Sequence, residues 1–339
     1  MKTLIINPGS SSVRYSLYGD KEKEFSIILD NKSNGNLMRE LGECKPEIVC
    51  IRVVAPGTYF QEHRAIDNVF INKLETVKNL APLHINSVLN EIKTIKKRFP
   101  QAKLTSASDS NFHKTQQSVY PLPKKITDKY DLKRFGYHGL SMSSVLRNTN
   151  LKNIIICHLG GGTSVAYITN GKSKETSMGF TPLEGLIGGT RSGNIDPKLV
   201  LYLIKRIGKE KTENILNEQS GLKALSGFSD MRDIISKRKY NALDFYCQQI
   251  KGYIGDYIAK YGKPQAIVFT GAIGFGSPII RAQICENLEH LGITLNKKAN
   301  SLLNETKNGE FQGQDSDTKL IVIKAKEDDE MFRIAKLFS

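Results

Sequence analysis

Short apolar runs that end at glycine-rich turns set the pattern of this chain. Leu4-Ile5-Ile6 runs into Asn7-Pro8-Gly9-Ser10-Ser11-Ser12 and leaves through Val13-Arg14-Tyr15. Ile154-Ile155-Ile156-Cys157-His158-Leu159 runs into Gly160-Gly161-Gly162-Thr163-Ser164 and leaves through Val165-Ala166-Tyr167. With one inserted residue, Val13 falls on Val165, Tyr15 on Tyr167 and Gly19 on Gly171. Each run predicts a strand, a turn and a second strand, and the repetition predicts a duplicated unit. A third run, Ala266-Ile267-Val268-Phe269-Thr270, ends at Gly271-Ala272-Ile273-Gly274 and predicts a third strand-to-glycine turn.

Further strands are predicted over 24–29, 48–54, 104–109 and 320–323. Helical spacing covers 81–99, where Val88, Leu89, Ile92, Ile95 and Phe99 share a face, and 242–261, where Leu243, Tyr246, Ile250, Tyr253, Ile254 and Tyr257 do. Helices are also predicted over 141–146, 197–208, 279–291 and 328–337, and the polar stretch 304–317 reads as a loop. Strands interleaved with helices around repeated hairpins predict an α/β protein of two related lobes. The expected boundaries are 1–147 plus 323–339 for one lobe and 148–322 for the other.

A chain of 339 residues is long enough for two such cores. Its 39% hydrophobic and 24% charged content is that of a soluble globular protein. No apolar run approaches the roughly 20 residues of a membrane span, and the N-terminus lacks the pattern of a secretory leader. A cytoplasmic location and no membrane partner are therefore expected. Five scattered cysteines without a CxxC pair support neither a disulfide framework nor a zinc site. The net charge of +15 raises the question of nucleic acid. Its lysines are dispersed, however, and clusters such as 93–98 and 205–209 sit on helical segments whose solvated faces account for them. No nucleic-acid partner is expected, though a diffuse positive field would favour anionic substrates.

A glycine turn lets backbone N–H groups converge, and neighbouring hydroxyls add donors, so such a turn can cradle phosphate oxygens. One copy more often only reverses a hairpin. Two copies point to a duplicated phosphotransferase.

The run from Thr176 to Pro197, with Pro182, Gly188-Gly189-Thr190-Arg191-Ser192-Gly193 and Asp196-Pro197, closely resembles the signature of the acetokinase family. That family belongs to the sugar kinase, actin and heat-shock chaperone superfamily. The resemblance extends through Asn7 to Arg14, Ala81-Pro82-Leu83-His84, Phe135-Gly136-Tyr137-His138-Gly139, His158 to Ser164, Ser229-Asp230-Met231-Arg232-Asp233 and Phe269 to Ser277. It implies two actin-like, ribonuclease-H-like lobes with a cleft between them and a homodimer formed through the second lobe. It also implies reversible transfer of a phosphoryl group from ATP to acetate, giving acetyl phosphate and ADP, with magnesium or, alternatively, manganese.

The residue roles implied are these. Arg52 and Arg191 match the family's active-site arginines, whose planar guanidinium groups can fork onto a carboxylate or steady a phosphoryl group in flight. His138 matches the histidine that bonds the transferring group, and Asp109 the aspartate that orients the site. His84 and His158 match further active-site histidines. Val54, Leu83, Tyr137 and Pro182 fall where the family lines a narrow acyl pocket. Ser10, Ser12 and Arg14 belong to the first phosphate turn, and Gly160, Gly161 and Gly162 to the second. Gly271, Ala272 and Gly274, with Asp230 and Arg232, fall at the nucleotide end. Asn7 and Glu330 are the expected magnesium residues, with Glu327 as the alternative acid.

Several positions depart from the family pattern. Arg14 replaces lysine, Gly161 replaces an asparagine, and Tyr137 replaces phenylalanine. Ala272, Phe275 and Gly276 replace Gly, Glu and Asn. These changes concentrate at the nucleotide end. Propionate or butyrate as acceptor, and a catalytically weak nucleotide-binding relative, are the competing readings.

Overall fold

The computed structural model describes every residue except Met1, Ser10, Ser11, Lys21, 31–43, Ser118, Glu305 and Thr306, together with the side chains of Asp30 and Leu83. The chain divides into two compact units. The first comprises Met1–Lys114, Tyr120–Ser144 and Lys326–Ser339, and the second Thr115–Val119 and Val145–Ala325.

The first unit is built on strands β1 (Thr3–Pro8), β2 (Ser12–Tyr18), β3 (Lys23–Asp30), β4 (Ile48–Val53), β5 (Arg64–Ala65) and β6 (Lys103–Ser108), in the order β3-β2-β1-β4-β6-β5. β1, β2 and β3 form an antiparallel meander, β1, β4 and β6 run parallel, and β5 returns antiparallel. Central parallel strands are covered on both faces, which is why β1 and β4 read as unbroken apolar runs. Their alternate residues divide between two cores. Leu4, Ile6, Val49 and Ile51 pack with Ile85, Val88, Ile92 and Ile95 of the Pro82–Arg98 helix. Ile5, Ile48 and Cys50 pack with Met331 and Ile334 of the Glu327–Ala335 helix. The C-terminal helix is thereby tied to the N-terminal sheet.

The second unit repeats this plan. β7 (Ile154–Leu159), β8 (Thr163–Thr169), β9 (Lys172–Thr176), β10 (Ala266–Thr270), β11 (Gly309–Glu310) and β12 (Lys319–Val322) stand in the order β11-β12-β10-β7-β8-β9. Here β7, β8 and β9 are the meander, β7, β10 and β12 run parallel, and β11 is the antiparallel edge. The duplication seen in the hydrophobic pattern is thus a duplication of the whole six-stranded topology. The Tyr240–Tyr261 helix lays Leu243, Tyr246, Ile250, Ile254 and Tyr257 against Ile155, Cys157, Val165 and Tyr167.

Three local expectations are corrected. The helix expected over 279–291 ends at Cys285, because Glu286 is extended and Asn287 is left-handed (φ 61). A single turn follows at Glu289–Leu291, and Leu288 still reaches the core. The third glycine segment is no open turn, since Thr270 passes straight into a short helix, Gly271–Gly276. The stretch 304–317 is not all loop: within it β11 pairs with β12. Among the described residues, no helix is long and apolar enough to cross a membrane.

Candidate active site

The parallel strands of the first unit end in polar residues at one edge of the sheet. The register pairs Ile6 with Ile51 and Arg52 with Ala107, so Asn7, Arg52 and Asp109 come next to one another at the carboxyl ends of β1, β4 and β6. Ligands of open α/β sheets characteristically bind at this edge.

Arg52 organises the group. Its Nη2 donates to Asp109 Oδ2 at 3.0 Å, and its Nη1 to Asn7 Oδ1 at 3.2 Å and Glu327 Oε2 at 3.4 Å. Its Nε is buried with no hydrogen-bond partner among the described residues, which leaves one donor over. Burial works against the charge on this guanidinium. Asp109 and Glu327 more than offset it, so the pKa lies above the ordinary arginine value. Asn7 completes the ring by donating Nδ2 to Glu327 Oε2 at 3.0 Å and Asp328 Oδ1 at 3.4 Å.

Asp328 fastens the group to the meander. It accepts from Ser16 Oγ at 2.8 Å and Lys23 Nζ at 3.1 Å, and Arg14 Nη1 stands 3.9 Å from it. The first-turn cation is therefore already steered by an acid. Ser12 is half-buried and its carbonyl accepts from Gly9 N–H at 2.8 Å, which closes the turn, while Ser10 lies outside the described residues.

Glu330 has different partners. Ser143 Oγ donates to it at 2.8 Å and Arg333 Nη2 at 2.9 Å. Glu327, the alternative acid, is the one beside Asn7.

Asp109 also organises the segment that carries His138. Its Oδ2 accepts from His138 N–H at 2.7 Å, and its carbonyl from Gly139 N–H at 2.8 Å. Val54 and Tyr137 are buried in this unit, and His84 is half-buried on the Pro82–Arg98 helix; the Leu83 side chain lies outside the described residues. Sequence reasoning passed over His113, whose Nε2 donates to the Tyr137 carbonyl at 3.0 Å. Its place four residues after Asp109 was the available signal.

In the second unit the glycine segments abut one another. The β7 register sets half-buried His158 beside Thr270 of β10. Gly160 N–H donates to Gly162 O at 3.0 Å, and Gly189 N–H to Gly161 O at 3.2 Å. Gly271 requires its glycine: φ is +78, and a Cβ there would lie 2.4 Å from the Leu159 carbonyl oxygen. A Cβ on Gly274 would stand 3.4 Å from Leu159. Ala272 is exposed, whereas Phe275 is buried in the core, so its loss of polarity is a gain in packing.

Arg191 is half-buried, and its carbonyl accepts from Gly188 N–H at 3.1 Å. Asp230 and Arg232 are partners of each other: Asp230 caps its helix through Arg232 N–H and takes Arg232 Nη2 at 2.6 Å. That pairing lowers the Asp230 pKa. Pro182 is buried in this second unit.

Two copies of one sheet plan, each ending its central strands in polar or glycine-rich segments, define a two-lobed, actin-like ATPase fold. Comparison with known proteins narrows the class. Residues 19–333 match the sequence model of the Acetokinase family. The chain is 32% identical to the acetate kinase of Campylobacter lari over 98% of both chains, and 35% identical to that of Sulfurimonas denitrificans over 88% and 90%. Among solved structures it resembles Entamoeba histolytica acetate kinase (TM-score 0.87, 29% identity, 99% of each chain) and a propionate kinase from Francisella tularensis (TM-score 0.87, 27% identity, 98% of each). The chain belongs to the acetokinase family, whose members are phosphotransferases with a carboxyl group as acceptor.

Proposed function

We propose that the protein transfers a phosphoryl group reversibly between ATP and acetate, forming acetyl phosphate and ADP. The observation that carries this reading is the Arg52 clasp, a half-buried, ionised guanidinium with a donor to spare at the carboxyl edge of the first sheet. Transfer between two anions needs fixed positive charge and positioning more than covalent chemistry. Arg52 would bind the carboxylate, Asp109 would hold Arg52 and the His138 segment, and His138 and Arg191 would bond the phosphoryl oxygens as charge shifts between acid and nucleotide. Val54, Tyr137, Leu83 and Pro182 would line the acyl site.

The second unit would bind nucleotide through His158, Gly160–Gly162, Gly271, Ala272 and Gly274, with Asp230 and Arg232 at the base and ribose. Ser10, Ser12 and Arg14 would serve phosphate from the first unit. Among the described residues no group of three His, Cys, Asp or Glu is placed to hold a metal. A magnesium ion carried by nucleotide phosphates needs only one or two protein oxygen ligands. Asn7 through Oδ1 and Glu330 would supply them, with Glu327 as the alternative acid, either carboxylate giving up an arginine partner to the ion, Arg333 for Glu330 and Arg52 for Glu327. Bound there, the ion would neutralise charge on the phosphates.

Propionate is the second reading, favoured by the likeness to the Francisella propionate kinase. One methylene in an apolar pocket changes selectivity by only about 1–3 kcal/mol. A homodimer is supported by the Pro197–Ile207 helix, which exposes Leu199, Leu201, Tyr202 and Ile204 and buries none of its residues. Its substrates suit the cytoplasm.

The reading is tested in reverse, by ATP formation from ADP and acetyl phosphate or propionyl phosphate, with Arg191→Ala as comparison. Turnover in the parent and its loss in a folded variant are expected. A parent that forms no ATP from either acyl phosphate would overturn it.

A further inference from the structure

The segment Tyr137-His138-Gly139 is held in a conformation that its sequence does not favour. His138 has φ +61, the left-handed region that residues other than glycine rarely adopt. Such a conformation persists only where its surroundings over-determine it, and it is commonly kept for function. Hydrogen bonds do so here, one of them from Met142 N–H to the His138 carbonyl at 3.0 Å. Two come from Asp109, which accepts from His138 N–H at 2.7 Å and, through its carbonyl, from Gly139 N–H at 2.8 Å. Another comes from the other side, where His113 Nε2 meets the Tyr137 carbonyl at 3.0 Å.

His113 is fully buried at the end of a short turn, Asn111–His113, with its own N–H on Ser110 O. A carbonyl can only accept, so Nε2 carries the proton. Burial lowers the imidazole pKa to about 4, which keeps that neutral tautomer in place at working pH. Gly139 closes the arrangement, because a Cβ there would stand 2.4 Å from the Asp109 carbonyl oxygen.

We propose that His113 is a positioning residue for phosphoryl transfer: by holding the Tyr137 carbonyl it fixes the left-handed turn from which the His138 ring leaves the chain. The inference rests on the reading of His138 as a catalytic group. A histidine that merely filled space would be replaceable by any side chain of its volume. A positioning histidine is replaceable only by another neutral donor.

The test compares His113→Leu with His113→Gln, whose amide can donate to the same carbonyl. Urea midpoints report folding, and the 15N imidazole signals of His138 report its environment. For His113→Leu, kcat is expected to fall about tenfold to a hundredfold, the scale of a small misplacement of a catalytic group, with both KM values within about threefold. His113→Gln should recover most of the rate, and the His138 signals should shift in the leucine variant alone. Wild-type kcat in folded His113→Leu would overturn the proposal. So would an equal loss in a folded glutamine variant, or a loss that only tracks the unfolded fraction. The His138 signals separate this from failure of the kinase reading: were the parent inactive, a shift confined to His113→Leu would still support positioning, and unchanged signals in both variants would refute it.

Discussion

Asp109→Asn removes one charge and almost no volume from the clasp. Asp109 is fully buried, and its Oδ2 accepts from Arg52 Nη2 at 3.0 Å and from His138 N–H at 2.7 Å. Stripping one partner from a buried ion pair costs about 3–5 kcal/mol, because the other charge is left stranded. Glu327 still stands 3.4 Å from Arg52, so the lower end applies, about 3 kcal/mol. In a unit of this size each kcal/mol moves the melting temperature by roughly 2–4 °C, so a fall of about 6–12 °C is expected by calorimetry. Arg52→Leu in the same background should recover part of it, since the stranded charge is gone. Turnover in both variants should fall at least about a hundredfold, as Arg52 and the His138 segment lose their common anchor. A melting temperature for Asp109→Asn within about 2 °C of the parent would refute the buried-charge reasoning.

Three further outcomes follow from the same geometry. Glu91 accepts from Tyr15 O–H at 2.9 Å under the first sheet, and burial raises its pKa. The folded state therefore favours protonated Glu91, and stability is lost as pH rises from the ordinary carboxylate range through the folded pKa. Glu91→Gln should match the parent in acid and exceed it increasingly toward neutral pH; equal urea midpoints at every pH would contradict this. Gly271→Ala should cost at least about 2 kcal/mol and weaken nucleotide binding, from its positive φ and the Leu159 carbonyl in its way; an unchanged melting curve would argue against it. Gly161→Asn meets nothing within 4 Å of the new Cβ, so stability should stay within about 0.5 kcal/mol. The restored amide should lower the KM for nucleotide; a raised KM would show that bare backbone is needed there.

Much of the fold was legible because β1, β4, β7 and β10 are buried on both faces and read as unbroken apolar runs. The doubled hairpin then carried the whole doubled topology. Strand order was not legible, since it is set by tertiary pairing. The meeting of Asn7, Arg52 and Asp109 at one sheet edge depends on that order. The C-terminal acids show the same limit: four lie within one helical turn, and only docking of the Glu327–Ala335 helix turns Glu327 and Asp328 to Asn7 while Glu330 meets Ser143 and Arg333. The helix over 279–291 failed differently. Apolar spacing continues through Leu288 and Leu291, but Asn287 takes a left-handed conformation that its side chain permits and periodicity cannot reveal. His113 was missed because a buried histidine gives no pattern of its own.

The central claim is that this chain moves a phosphoryl group onto a carboxyl oxygen. Incubation with ATP, magnesium and acetate in the presence of hydroxylamine tests it most directly, by trapping the acyl phosphate as a hydroxamate while ADP is measured in parallel. The account predicts acetohydroxamate formed in step with ADP, dependent on the acid and abolished in folded Arg52→Ala. No hydroxamate from acetate, propionate or butyrate, with the protein folded and nucleotide present, would contradict it.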